Sequence, residues 1–85
     1  MSSKAMILCD DLSHWRDKLL EALLAKNQEL VIQHSAEMAR RVFVLSELLE
    51  TGQVPQSEKV LVRMHLDKAK DLSKRAQKLY MKVIK

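Results

Sequence analysis

Eighty-five residues with one glycine, one proline and one cysteine make a single domain without room for a second core, and a lone cysteine excludes an internal disulfide. Hydrophobic residues at 47% are ample for a core, so a disordered chain is not expected. The net charge of +4 is unevenly held: residues 1–56 carry six Lys/Arg against eight Asp/Glu, and residues 57–85 carry nine against three.

The first predicted helix covers roughly residues 8–26. Leu8, Leu12, Trp15, Leu19, Ala22 and Leu23 share one face, with Leu30 as its extension. Asp10 or Asp11 is placed to cap its start. The apolar run Ala5-Met6-Ile7-Leu8-Cys9 is too short for a signal sequence or a membrane span, and Asp10-Asp11 ends it. Leu20-Glu21-Ala22-Leu23-Leu24 matches L-x-x-L-L, a pattern that docks in apolar grooves when its leucines are exposed. Because Leu23 falls on the core stripe, these leucines are expected inside, and so are those of the second match, Leu45-Ser46-Glu47-Leu48-Leu49.

Lys26-Asn27-Gln28-Glu29 holds neither glycine nor proline, yet the apolar stripe changes heptad phase there. Asn27 is a candidate cap at a tight corner. The second helix is expected over residues 28–50, with Val31, Ser35, Met38, Val42, Leu45 and Leu49 in 4-3-4-3-4 spacing. A second strip, Ile32, Ala36, Ala39 and Phe43, lies about 100° round the same helix. Two apolar strips imply two neighbours, or one neighbour and a docking surface.

Thr51-Gly52-Gln53-Val54-Pro55-Gln56 is the one strongly punctuated loop. Gly52 suits the left-handed C′ position that ends a helix, and Pro55 prevents immediate resumption. Ser57 is the expected N-cap of the third helix, with Glu58 in its first turn.

The third helix, roughly 57–84, is sharply two-faced. Leu61, Val62, His65, Ala69, Leu72, Ala76, Leu79, Tyr80 and Val83 lie on one side; Lys59, Arg63, Lys70, Lys74, Lys78, Lys82 and Lys85 lie opposite. Val60, Met64 and Met81 fall on the basic side and are expected to be partly exposed. Ala69 and Ala76 allow a neighbouring helix to come close. His65, in the middle of the apolar face, reads as a core histidine with a hydrogen-bond partner; His14 and His34 read as surface or boundary residues.

Two architectures follow: an antiparallel three-helix bundle, or one long helix over residues 8–50 that folds back on the third and dimerises as a hairpin. The matched helix lengths and the phase change favour the bundle.

Catalysis is not expected. One glycine rules out a phosphate-cradling loop, the three histidines have no His or Cys at metal-ligand spacing, and no Ser/His/Asp or Cys/His arrangement has local support. No cofactor is expected. The single thiol fits a reducing compartment, cytoplasm or nucleus.

The stretch Leu66-Asp67-Lys68-Ala69-Lys70-Asp71-Leu72-Ser73-Lys74-Arg75-Ala76-Gln77-Lys78-Leu79 resembles the third helix of MIT domains, whose last helix often reads K-A-x-x-L-x-x-R-A-x-x-L. The resemblance covers about 30 residues. It implies a three-helix module that binds helical or extended tails of membrane-remodelling proteins, with Lys70, Lys74 and Lys78 flanking the groove. That family commonly presents acids to basic tails, whereas this helix presents lysines, which implies an acidic tail. The first two thirds of the chain lack the family's Gly-aromatic turn.

The expected function is therefore non-catalytic docking of an acidic helix or segment of another protein. The expected surface is Ile32, Ala36, Ala39 and Phe43 with the adjoining edge of the third helix, including Lys70, Lys74 and Lys78. Self-association as a homodimer is the alternative. Few aromatics and an excess of Lys over Arg argue against nucleic acid, and the lack of bulky residues free of core duty argues against membrane insertion. The lysines have a simpler reading as well, as a solvated face that keeps a small bundle apart from its neighbours.

Overall fold

Ser3 opens the first helix. Its Oγ accepts a hydrogen bond from the Met6 amide at 3.1 Å, which satisfies one of the donors that a helix start leaves free. The same hydroxyl donates to Glu58 Oε1 at 2.5 Å and ties this helix to the turn that precedes the last one. The computed structural model describes residues 3–80. It holds α1 (Lys4–Leu24), α2 (Gln28–Glu50) and α3 (Lys59–Tyr80), with a short 3-10 turn at Gln56–Glu58.

The three helices pack against one another as a bundle. The described residues extend 39 × 27 × 16 Å, and one continuous helix over residues 8–50 would alone measure about 65 Å. The long hairpin is therefore excluded.

The corner that breaks α1 from α2 needs no glycine. Asn27 donates its amide to the Ala22 carbonyl and Lys26 donates to Leu23, the paired bonds of a Schellman motif. Lys26 occupies the left-handed position at φ 56°, and Asn27 Oδ1 then accepts the Leu30 amide at 3.2 Å to cap α2. The same motif ends α2: Gln53 donates to Leu48, Gly52 to Leu49, and Gly52 sits at φ 74°.

Three boundary expectations are corrected. α1 begins at Lys4, four residues earlier than expected, so Asp10 and Asp11 lie inside the helix and cap nothing. Ala5 and Cys9 are buried in its core stripe, which is why the helix extends back to the cap at Ser3. Ser57 is not an N-cap either: it is exposed within the 3-10 turn, where the Glu58 amide is bonded by the Pro55 carbonyl at 2.9 Å. The expected end of the third helix, with Met81, Lys82, Val83 and Lys85, lies outside the described residues.

Leu12, Leu19, Met38, Leu45, Val31, Val62 and Cys9 are the largest fully enclosed side chains. Val54, from the loop before α3, plugs the end of this core. Leu66 is buried too, although it lies at the edge of the expected α3 stripe, and Leu48 is buried as expected for the second L-x-x-L-L run. Leu79 was expected on the core face but is 63% exposed; it stands about 60° round the helix from the buried Ala76, at the edge of the stripe. Leu20 and Leu24 of the first L-x-x-L-L run are exposed as well, with only Leu23 half-buried. The second run is core, with Leu45 and Leu48 buried.

Candidate functional site

A groove of about 280 Å³ runs between α2 and α3. Met38, Val42 and Ala69 form its floor; Ala39, Phe43 and Ser46 rise from α2, and Lys70 and Ser73 from α3. The walls are small at Ala39, Ser46, Ala69 and Ser73, so an added helix can approach the backbone of both. Phe43 stands at the rim with 67% of its surface exposed.

This is where the structure places the sequence-derived residues. Ala39, Phe43 and Lys70 come together round the groove. Ile32 and Ala36 are exposed on the same α2 strip but do not line this groove; Ala36 lines a pocket on the α1 side with Trp15, Gln33, His34 and Glu37. Lys74 and Lys78 are exposed, and successive four-residue steps turn them by about 40° and 80° away from Lys70. Lys70 thus belongs to the groove wall, Lys74 to its shoulder, and Lys78 to the outer face. Ser46 and Ser73 were not singled out from sequence: serine carries no periodic signal, and only the pairing of the two helices aligns them.

The opposite side of α2 carries polar contacts to α1. Arg41 pairs through Nε with Asp11 at 2.8 Å and through Nη1 with Glu37. Its guanidinium also lies over Trp15. His14 and His34 flank the same indole, with centroid separations of 5.4 and 5.6 Å. These groups fasten α1 to α2, and α2 thereby offers its remaining strip outward.

Two further groups carry titratable chemistry. Cys9 is fully buried, and burial, then the charges of Asp10 and Glu58, push its thiol up from the ordinary value, which keeps it protonated and unreactive at neutral pH. His65 is half-buried, and its Nδ1 is enclosed without a hydrogen-bond partner, contrary to the expected paired core histidine. Loss of solvation, then Arg16 and Lys68, lower its pKa, while Asp10 acts the other way. No group of three or more metal-ligating side chains occurs among the described residues, and no helix among them is long and apolar enough to cross a membrane.

No protein-family model matches the chain, and no solved structure matches it. Among curated proteins, a stretch of 64 residues, 75% of this chain, is 34% identical to actin-related protein 5 of Gallus gallus. The match spans 10% of that protein's length, so the chain corresponds to a small part of it.

Proposed function

We propose that the chain is a non-catalytic docking module whose α2–α3 groove takes an acidic amphipathic helix of a partner protein. The observation that carries this is the apolar groove itself, with Ala39 and the exposed Phe43 on one wall and Lys70 on the other; Ile32 and Ala36 are exposed farther along α2. Apolar side chains of the docked helix fill the groove, and its acids face Lys70 and Lys74. Binding strength then comes from the buried apolar contacts, while the lysines speed association. The likeness of residues 66–79 to the third helix of MIT domains supports a tail-binding role, and the lysines on that helix favour an acidic tail.

The test is affinity capture from native cells with quantitative mass spectrometry, comparing wild type with Phe43→Asp and with Lys70→Gln/Lys74→Gln/Lys78→Gln. A partner lost with Phe43→Asp is then made as a fragment and titrated at two salt concentrations. The triple lysine variant is expected to bind more slowly and with a weaker salt dependence, yet still to bind. Concentration-dependent dimers that Phe43→Asp dissolves would replace the partner with a second copy. Tight binding of the wild type to random-sequence duplex at physiological salt, abolished in the triple variant, would make the module a nucleic-acid binder instead.

A further inference from the structure

The face between α1 and α3 holds a second cleft, of about 230 Å³. Arg16 of α1 is half-buried in its wall, and its Nη1 is enclosed without a hydrogen-bond partner. Among the described residues no carboxylate forms an ion pair with it, although Asp17 and Asp71 also line the cleft. Lys68 and Arg75 approach from α3, and Leu20 and Leu72 supply the apolar part. Arg16 thus lines the cleft without an ion-pair partner among the described residues, and a carboxylate entering there pairs with the guanidinium after a rotamer change that brings its enclosed nitrogen out. Leu20 is 43% exposed, so apolar surface is open in the cleft wall.

We propose that the α1–α3 cleft is a second docking site, taking a segment of a partner protein in which a single carboxylate is flanked by aliphatic side chains. The carboxylate pairs with Arg16, and the aliphatic side chains lie on Leu20 and Leu72. Three cations against two acids leave the cleft a single positive charge, which suits one carboxylate, whereas Asp17 and Asp71 repel a doubly charged phosphate. The site uses α1 and α3 and is independent of the Phe43 strip.

The probe is an acetylated, amidated eight-residue peptide with one glutamate between two leucines, titrated into the labelled chain and followed by amide and arginine side-chain NMR. The shifts are expected at Arg16, Leu20 and Leu72, with Ala39 and Phe43 unmoved. Replacing the peptide's glutamate by glutamine is expected to weaken binding about tenfold or more, a comparison that needs no change in the protein. Arg16→Gln should do the same. Arg16→Lys should recover only part of the affinity, because lysine keeps the charge and loses the planar fork. Absence of shifts at these positions up to the solubility limit of the peptide overturns the site. So does equal binding of the glutamine peptide, or inorganic phosphate giving the same shifts at lower concentration. Shifts confined to Ala39 and Phe43 would overturn it while leaving the α2–α3 groove in place.

Discussion

The Arg41 guanidinium of α2 lies over the indole of Trp15 in α1, with its carbon 5.0 Å from the ring centroid. Asp11 and Glu37 hold the guanidinium in that position. The arrangement joins an aromatic face, a cation and two carboxylates across one helix pair. Each ion pair is partly exposed and contributes about 1 kcal/mol or less by itself; stacking on the indole adds about 0.5–1 kcal/mol. Arg41→Ala is therefore expected to destabilise the fold by roughly 1–2 kcal/mol, and Asp11→Asn by about half a kcal/mol. Urea denaturation followed by Trp15 fluorescence measures both. A loss for Arg41→Ala no larger than that for Asp11→Asn would show that the indole contact contributes nothing.

The two Schellman corners give opposite expectations for the same backbone position. Gly52 and Lys26 both hold the left-handed conformation, which costs a residue with a Cβ about 1–2 kcal/mol. Lys26→Gly is expected to stabilise by about 0.5 kcal/mol, since part of the relief is offset by the freer unfolded chain. Gly52→Ala meets nothing within 4 Å of the new Cβ, so its cost is backbone strain alone, about 1 kcal/mol. Thermal or denaturant unfolding of the two single variants is the check, and opposite signs are required.

His65 makes stability depend on acidity. Its folded pKa lies below the ordinary value of 6.5, so the unfolded chain takes up the proton first. The contribution of His65 is fully present above pH 6.5 and is lost as pH falls from there through the folded pKa. His65→Gln should remove this component, so the separation between the wild-type and variant stability curves changes as pH falls below 6.5 and is constant above it. Parallel curves as pH falls below 6.5 would mean that neither burial nor the charges of Arg16 and Lys68 lower the pKa of the ring.

Exposure separates the strip of α2 that holds the fold from the strip offered outward. Phe43→Ser removes an aromatic ring from a position 67% exposed and is expected to change stability by no more than about 0.5 kcal/mol. Leu45→Ala, two residues on and fully buried, is expected to cost about 2–5 kcal/mol. Equilibrium unfolding of the pair decides this. A cost for Phe43→Ser near that of Leu45→Ala would place the ring in a core shared with another subunit.

Much of the architecture was legible in the order of residues. The 4-3 spacing from Val31 to Leu49 and the Gly52–Pro55 punctuation marked α2 and its end, because periodicity and backbone freedom are local properties. Asn27 marked the corner for the same reason: its side chain caps a helix that starts one residue later. The start of α1 is not legible locally: Asp10-Asp11 and the serine at position 3 are both cap-forming, and the burial of Ala5 and Cys9 decides between them.

What the sequence determined by itself was three amphipathic helices and a basic third one. Which apolar residues were surplus was decided by the tertiary structure alone. Ile32 and Phe43 are as hydrophobic as Val31 and Leu45, and nothing in their spacing separates a buried strip from an exposed one. The difference lies in where α1 and α3 sit round α2: ion pairs and the Trp15 contact draw α1 to one side, α3 packs on the other, and the angle between them leaves the Phe43 strip open. Arg16 illustrates the same limit, because an unpaired guanidinium exists only relative to the carboxylates that a neighbouring helix does or does not bring within reach. Helix formation is set by interactions a few residues apart, whereas enclosure and charge pairing depend on residues distant in the chain and adjacent only in space.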